Sequence, residues 1–233
     1  MRSLVVAVAQ PSVISLDIAR NAVTHAAAVR AAAARVVVFP ELSLTGYELD
    51  APLVAENDPR LAPLVAACAA TDTIALVGAP VAGPHIATLA IDADGVRVAY
   101  RKQHTHHTEQ RFRPGDGPAV LEVDGWRLGL AICRDTGIAE HAEDTAELGI
   151  DAYVAGVVDE PAADVVLAER ARRISTTHGV WVAFSSFAGP TGSGYPVTAG
   201  RSGIWAPDGR VAARAGRAPG EIARATLLAL ARV

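Results

Sequence analysis

The sequence predicts an α/β domain in which helices pack against the faces of β-sheets. Short apolar runs bounded by turn residues alternate with Ala-rich stretches of helical periodicity, a pattern typical of this fold class. The chain has 233 residues and 51% hydrophobic content, enough to bury a sizeable core. Since no repeat, low-complexity linker or change in composition divides the sequence, we expect a single domain over residues 1–233.

The first half of the chain predicts two helices among several strands. Residues 15–34 show helical periodicity, and the apolar run 36–39 is typical of a buried strand that leads directly into Pro40 and Glu41. The predicted apolar face of this helix comprises Ile18, Ala22, Val23, Ala26 and Val29. The remaining predicted elements are strands over 4–9 and 73–79, a helix over 60–70, and a hairpin of strands 86–91 and 96–100.

The second half begins with a hairpin that ends at Cys133. Its strands, 119–123 and 127–132, are joined through Asp124-Gly125, a good turn signal. The continuous apolar character of residues 180–185 indicates a strand buried on both faces. The other predicted elements are helices over 138–149 and 162–178, a strand over 152–158, a glycine-rich loop over 188–203, and a last hairpin turning at Asp208-Gly209.

Charge and hydropathy exclude several classes of partner. Lys and Arg number 21 and Asp and Glu number 25, and neither sign forms a long block that would attract nucleic acid or an anionic membrane. Apolar residues never run uninterrupted for the roughly 18 positions that a membrane span needs. The first apolar run is short and lacks a cleavage site, so we expect a cytoplasmic protein whose two cysteines, Cys68 and Cys133, are both free thiols.

Three chemically reactive residues follow predicted strands. Cys133, Glu41 and Lys102 each stand directly after or near the end of an apolar run. Taken singly, each has a structural explanation: a cysteine packed in the core, a helix cap or surface carboxylate, and a solvated lysine in a turn. Together they supply what acyl transfer requires, since the carboxylate can accept the thiol proton, the thiolate can attack carbon, and the ammonium can stabilise negative charge on oxygen.

The segments around these residues resemble those of the nitrilase, or carbon–nitrogen hydrolase, superfamily. Residues 37–47 resemble the family's glutamate segment, 100–115 its lysine segment, and 125–135 its nucleophile segment. Gln10-Pro11 and the Gly-x-Ser turn within 199–204 are softer matches. These matches are spread over the whole chain, and three such segments in the right order make the resemblance specific.

The resemblance implies a four-layer αββα sandwich and a role for each residue. Cys133 would be the nucleophile, Glu41 the general base, and Lys102 with the backbone N–H of Arg134 the oxyanion donors. Glu109 would support Lys102. The reaction would proceed through a thioester without a metal or organic cofactor, and the resemblance also implies a homodimer or higher homo-oligomer.

The substrate is less closely defined by the sequence. A compact member of this superfamily suggests a small linear amide or an N-carbamoyl compound. Nitrile hydrolysis and acyl transfer use the same first half-reaction, and a catalytically weak homologue kept as an oligomeric binding module is a further alternative. The residues predicted to border the substrate pocket are Tyr47, His107, Asp135 and Ser186.

The histidines at 104, 106 and 107 do not indicate a metal site. They fall within four loop residues and lack both the i, i+4 helical spacing and a paired cysteine framework. We expect His106 and His107 to border the pocket or to be solvated.

Overall fold

The computed structural model describes residues 2–229, which form fourteen strands and four longer helices within that range. The helices are α1 (Ile18–Ala32), α2 (Ala62–Thr71), α3 (Ala139–Glu147) and α4 (Asp164–His178). The first seven strands are β1 (Ser3–Ala9), β2 (Val36–Val38), β3 (Ile74–Val81), β4 (His85–Asp92), β5 (Gly95–Arg101), β6 (Ala119–Val123) and β7 (Trp126–Ile132). The others are β8 (Ala152–Val157), β9 (Trp181–Ser186), β10 (Ala188–Thr191), β11 (Tyr195–Ala199), β12 (Gly203–Trp205), β13 (Val211–Arg214) and β14 (Ile222–Leu228).

Twelve of the strands form two six-stranded sheets. The first sheet has the order β14-β1-β2-β3-β4-β5, and the second has the order β13-β12-β9-β8-β7-β6. Each sheet contains three adjacent parallel strands, β1-β2-β3 in the first and β7-β8-β9 in the second. Parallel neighbours end at the same edge of a sheet, so residues that follow these strands are brought together.

Three hydrophobic layers show that the architecture is the four-layer αββα sandwich. Val6 and Val8 of β1 pack in the cluster that also contains Leu128 and Leu130 of β7, which places this cluster between the sheets. Ala7, pointing the other way as strand alternation requires, packs in the cluster beneath α1 and α2. A third cluster joins the outer face of the second sheet to α3 and α4.

The buried face of α1 differs from the prediction at two polar positions. Val23 is 55% exposed, whereas Asn21 and His25 are fully buried. Burial is tolerated because both side chains are hydrogen-bonded. The Asn21 amide donates to the carbonyl of Leu44 at 3.0 Å, and the His25 ring lies 2.9 Å from the Ser43 hydroxyl. Helix α1 thereby anchors the segment that follows Glu41.

The predicted glycine-rich loop over 188–203 contains two strands. β10 and β11 pair as an antiparallel ribbon separate from both main sheets. Strand β14 pairs with β1 along seven residues. This strand was not predicted from the sequence, because an alternating sequence gives a weaker signal than a continuous apolar run. Within residues 2–229, none of the helices has the length and apolarity needed to cross a membrane.

Candidate active site

The predicted reactive residues lie where the strands of the two sheets end. β2 leads into Glu41, β5 leads into Lys102, and β7 leads into Cys133. Glu41 and Lys102 are each 1% exposed, so both are buried charges rather than surface residues. The solvated-lysine and surface-carboxylate alternatives are therefore wrong, since such groups are almost never buried unless paired.

Two glycines from opposite sheets make room for the Glu41 segment. A Cβ atom at Gly78 of β3 would lie 2.5 Å from the carbonyl oxygen of Pro40. A Cβ atom at Gly156 of β8 would lie 2.5 Å from the carbonyl oxygen of Phe39 and 2.8 Å from the amide nitrogen of Glu41. Because the backbone around Glu41 is in contact with both sheets, its carboxylate is held in a fixed position. Sequence reasoning missed these glycines, although a glycine inside a strand is a known signal of close backbone approach.

Lys102 is bound between two carboxylates. Its Nζ atom donates to Oε1 of Glu41 and to Oε1 of Glu109, each at 2.7 Å. Glu109 is fixed in turn, because its Oε2 accepts from the amide of His106 at 2.7 Å. The hydroxyl of Tyr47 lies 3.5 Å from the same carboxylate. Glu109 is therefore brought into the same buried cluster as Glu41 and Lys102.

Cys133 stands at a sharp change of backbone direction. It has a φ angle of 42°, in the left-handed region that non-glycine residues rarely adopt, and it opens a short 3-10 turn over Cys133–Gly137. The Sγ atom lies 3.5 Å from the carbonyl oxygen of Val158. Because Arg134 is in the first turn, its backbone N–H belongs to the set that a helix start leaves without an internal partner. Strain at such a position is a feature of functional sites.

Asp135 holds this turn in place from behind. One carboxylate oxygen accepts from the amide of Ile132 at 3.0 Å and from the hydroxyl of Tyr100 at 2.8 Å, and the other accepts from the amide of His104 at 2.9 Å. The side chain is fully buried. The carboxylate therefore links the Cys133–Gly137 turn to the strand and loop that carry Lys102.

The pKa values of the three central groups depend on one another. Burial raises the pKa of Glu41 to about 7, although the positive charge of Lys102 opposes the shift, and the negative charge of Glu109 adds to it. Burial and the charge of Glu41 raise the pKa of Cys133 well above its ordinary value. Burial disfavours the charged form of Lys102, but the surrounding carboxylates and thiol outweigh it and raise its pKa, so the ammonium stays charged.

A pocket of about 310 Å³ opens onto Lys102 and Cys133. Tyr47 lines it, as predicted. Of the neighbouring histidines, His106 lines the pocket, while His107 is exposed and lies outside the lining set. The lining residues are Tyr47, Lys102, His106, Glu109, Cys133, Arg134, Val158, Asp159, Arg170 and Tyr195.

Two residues predicted to border the pocket lie elsewhere. Asp135 is turned into the protein, where its carboxylate accepts the hydrogen bonds that hold the Cys133–Gly137 turn. Ser186 is fully buried; its hydroxyl donates to the carbonyl of Phe187 at 3.2 Å and its amide donates to the hydroxyl of Ser202 at 2.9 Å. Both side chains therefore have structural partners and are outside this pocket's lining.

The sequence signals for the additional pocket residues differ in strength. Asp159 could have been predicted as a pocket residue, since it follows β8, and β8 ends at the same sheet edge as its parallel neighbour β7, which leads into Cys133. Tyr195 begins a strand that was predicted as loop. Arg170 lies within α4, where a charged residue is ordinarily a solvated one, so the pattern gave no signal.

The histidine cluster has ordinary protein partners. His104 contacts Asp135 at 3.0 Å, and His106 contacts the Thr108 hydroxyl at 2.9 Å. In the range 2–229, no three or more His, Cys, Asp or Glu side chains are grouped so as to hold a metal ion. Cys68, the second thiol, is buried in the layer beneath α1 and α2.

The αββα sandwich brings a buried acid, a buried lysine and a half-buried cysteine together at one pocket, an arrangement that suits hydrolysis of carbon–nitrogen bonds other than peptide bonds. The model of the carbon–nitrogen hydrolase family matches residues 5–231, and the chain belongs to that family.

Sequence and structure comparisons agree with this assignment. The chain is 31% identical over 215 residues to a Pseudomonas protegens protein described as the hydrolase in the pqqF 5′ region, covering 86% of this chain and 75% of that protein. It is 28% identical over 126 residues to an (R)-stereoselective amidase from Pseudomonas sp, covering 51% of this chain and 46% of the amidase.

Solved structures share the fold at lower sequence identity. A Saccharomyces cerevisiae member of branch 10 of the nitrilase superfamily has a TM-score of 0.84 and 22% identity, covering 97% of this chain and 90% of that chain. A mutant of the amidase from Nesterenkonia sp., solved in complex with butyramide, has a TM-score of 0.85 and 22% identity, covering 96% and 90%. Both similarities concern the fold.

Proposed function

We propose that this chain is a cysteine amidohydrolase of small linear amides or N-carbamoyl compounds, with Glu41, Lys102 and Cys133 as its catalytic residues. The observation that carries the proposal is the convergence of these residues at one pocket. Lys102 and Cys133 line it, and Glu41 lies 2.7 Å from the lysine ammonium. A protein that only binds ligands has no need for a thiol at the pocket beside a buried acid and a buried ammonium.

The first half-reaction forms a thioester. Glu41 accepts the thiol proton as Cys133 attacks the substrate carbon. Because the pKa of the thiol is high, the thiolate forms only when both the base and the substrate are in place. The tetrahedral adduct carries negative charge on oxygen. Lys102, permanently charged, and the backbone N–H of Arg134 stabilise this oxyanion. The proton held by Glu41 then passes to the leaving amine.

The second half-reaction releases the acid. Glu41 removes a proton from water, which attacks the thioester carbon, and the thiol leaves as Cys133 recovers its proton. A pKa near 7 suits Glu41 to both steps, because the carboxyl can accept and return a proton near neutral pH. Glu109 stays bound to Lys102 and keeps the ammonium oriented.

The substrate class is supported by the size of the pocket and by the relatives. A volume of about 310 Å³ accommodates a small molecule, and the lining contains more polar and charged than apolar side chains. One curated relative is named as an amidase, and one structure of the same fold was solved with butyramide. Primary amides of short acids are therefore the substrates to test first.

The test is an activity screen over short amides, ureido acids and nitriles with Cys133→Ala beside the wild type. We expect wild-type release of ammonia from amides or carbamoyl compounds and a loss of at least about 10³-fold in kcat for Cys133→Ala. Addition of hydroxylamine distinguishes acyl transfer from hydrolysis. Equal turnover by both proteins would exclude Cys133 as nucleophile, and turnover of nitriles alone would favour the nitrilase alternative.

Cys68 supplies a matched control. Its thiol is fully buried in another layer, and burial raises its pKa to about 11. Cys68→Ala removes one thiol without touching the pocket, so we expect activity to persist and stability to fall modestly. A chloroacetamide reagent should label Cys133 in the native protein and spare Cys68.

A further inference from the structure

Asp159 brings a carboxylate into the wall of the pocket that the proposed reaction does not use. Its backbone is fixed, since its carbonyl oxygen accepts from the amide of Ala199 at 2.9 Å. Its position is close to the nucleophile, because the preceding carbonyl, that of Val158, lies 3.5 Å from the Cys133 sulfur. The side chain lines the same pocket as Cys133.

One oxygen of this carboxylate lacks a protein donor. Oδ2 of Asp159 is buried, and no side chain or amide in the described part of the chain donates a hydrogen bond to it. Buried carboxylate oxygens are normally hydrogen-bonded, so an unpaired one at a pocket wall is a position where a ligand donor can supply the missing bond. Burial raises the pKa of Asp159 to about 6, with the charge of Arg170 opposing the shift, so the group is mainly ionised at pH 7.5.

The surroundings of Asp159 suit a cationic donor. Tyr195 and Tyr47 both line the pocket, with ring centroids 5.4 Å apart in an edge arrangement. Tyr195 and Asp159 line the same pocket, and burial with the negative charges of Cys133 and Asp159 raises the pKa of Tyr195. Aromatic rings beside a carboxylate attract ammonium groups, and a charged donor makes the stronger hydrogen bond.

Arg170 does not already fill this role. It lines the same pocket, but no ion pair joins it to Asp159 within residues 2–229. Its guanidinium carbon lies 3.4 Å from where a Cβ on Gly137 would stand, beside the nucleophile turn. Arg170 therefore acts on the Asp159 carboxylate through its charge without donating a hydrogen bond to Oδ2.

We propose that Asp159 binds an ammonium group on the acyl part of the substrate, so that the enzyme selects short amino-substituted amides over their alkyl counterparts. The ammonium group is assigned to the acyl part of the substrate because the other product of primary amide hydrolysis is ammonia. Ammonia carries no substituent that could hold a second amino group. This inference rests on the proposed function for the identity of the bond that is broken. The binding of the ammonium itself does not depend on cleavage.

Three amides of nearly equal size isolate the effect: 3-aminopropanamide, 3-hydroxypropanamide and butyramide differ only in a terminal ammonium, hydroxyl or methyl group. We expect wild-type kcat/KM to favour 3-aminopropanamide over butyramide by at least about 10-fold, the ratio that one charge-assisted hydrogen bond produces. Asp159→Ala should remove that preference. Asp159→Asn, which keeps the shape of the side chain and removes its charge, should also remove it, and circular dichroism verifies folding of both.

Glu160 is the matched control for loss of a neighbouring negative charge. It is exposed and lies outside the pocket lining, so Glu160→Ala should keep the ratio between the two amides. An equal loss of preference in Glu160→Ala and Asp159→Ala would overturn the proposal, since a general electrostatic effect would then explain it.

Calorimetry with the Cys133→Ala variant separates this inference from the proposed function. The variant should bind 3-aminopropanamide at least about 10-fold more tightly than butyramide, and Asp159→Asn in the same background should remove the difference. If the wild type hydrolyses neither these amides nor any compound of the activity screen while this selective binding holds, the proposed reaction fails and the ammonium site stands. Equal binding of all three, no binding of 3-aminopropanamide, or equal binding of the hydroxyl and ammonium compounds would overturn the ammonium site.

Discussion

Lys102 is a cation held inside the protein by two anions. Burial alone would lower its pKa and favour the neutral amine, but Glu41 and Glu109 at 2.7 Å outweigh that effect. A lysine in this state cannot act as a base near neutral pH. Its contribution is a fixed positive charge beside the thiol, available when negative charge develops on the substrate.

Glu109 is predicted to act through Lys102 as a positioning residue. Glu109→Gln should lower kcat by about 10- to 100-fold with a smaller change in KM, since the ammonium loses one of its two charged acceptors. The negative charge of Glu109 also raises the pKa of Glu41, so the acidic limb of the pH profile should move to lower pH. A lower rate with an unshifted profile would indicate a merely structural role. Glu109→Asp should recover part of the rate.

The ionisation of Glu41 is predicted to govern activity at low pH. With a pKa of about 7, the carboxyl is protonated below that pH and cannot accept the thiol proton. We therefore expect kcat/KM to rise with pH through a midpoint near 7 and to level off above it. Steady-state rates between pH 5 and 9 measure this. A profile that is flat between pH 6 and 8 would contradict the assignment of Glu41 as base.

The placement of a residue could be predicted from the sequence where a strand ends at the site. Glu41, Lys102 and Cys133 each follow an apolar run, and the structure brings all three to one cluster. Asp135 and Ser186 stand at equally suggestive positions, but their orientation into the interior depends on partners distant in sequence, Tyr100 and Ser202. Periodicity contains no information about those partners.

At the scale of elements, the segment after β2 is enclosed between two strands that carry glycines. Gly78 on β3 and Gly156 on β8 belong to different sheets, and both lie against the backbone of Pro40 and Glu41. Main-chain contacts this close leave no space for a methyl group. The position of the Glu41 backbone therefore depends on the absence of a side chain at both glycines.

Gly156→Ala should damage activity and stability together. The added Cβ would meet backbone atoms of Phe39 and Glu41 within 2.8 Å, which a flexible side chain cannot relieve. We expect a loss of about 1–3 kcal/mol in unfolding free energy and at least about 10-fold in kcat/KM, from overpacking and displacement of Glu41. Urea unfolding and steady-state kinetics measure the two effects.

Gly117 is the control for this substitution. A Cβ there meets nothing within 4 Å, and its φ is outside the left-handed region, so Gly117→Ala should leave both quantities nearly unchanged. Comparable losses in the two variants would show that the contact with the Glu41 segment is not the cause.

The elements predicted best were those with long regular patterns. The four helices and the strands of the parallel cores occur where periodicity indicated them, with shifts of a few residues at their ends. The ribbon β10–β11 was missed because its glycines and prolines gave loop signals. The buried Asn21 and His25 of α1 were missed because their partners, Leu44 and Ser43, are brought near only by the tertiary fold.

At the scale of the whole molecule, the site requires both sheets. Glu41 and Lys102 follow strands of the first sheet and Cys133 follows a strand of the second, so the cluster exists only when the two sheets are packed together. The single domain over residues 1–233, the homo-oligomer and the cytoplasmic location remain predictions. The carbon–nitrogen hydrolase family and the αββα sandwich are confirmed.

Two buried groups are predicted to oppose each other in the pH dependence of stability. Burial lowers the pKa of His25 to about 4, against a smaller opposite effect of its backbone hydrogen bond to Asn21, so the unfolded chain binds a proton there first and acid destabilises the fold. The raised pKa of Glu41 has the reverse sign: the folded chain keeps a proton that the unfolded chain releases, and this stabilisation is lost as pH rises through about 7.

Glu41→Gln should therefore make the protein more sensitive to acid. Between pH 6.5 and 4.5 the variant should lose up to roughly 3 kcal/mol more unfolding free energy than the wild type, at about 1.4 kcal/mol per pH unit for one proton. Urea unfolding at the two pH values measures the difference, to which titrating groups that do not interact with Glu41 contribute equally in both proteins. Parallel changes in the two proteins would mean that Glu41 has an ordinary pKa.

The pairing of β1 with β14 has a consequence for how the protein is made. Strand β1 pairs with β2 on one side and with β14 on the other. The partner β2 is translated soon after β1, but residue 3 of β1 lies opposite residue 228 of β14, which is translated more than two hundred residues later. Until then, a hydrophobic strand edge stays open on the nascent chain. A ribosome-bound chain could therefore already contain Glu41, Lys102 and Cys133 while the edge of β1 is still unpaired. Chaperones can recognise such an edge.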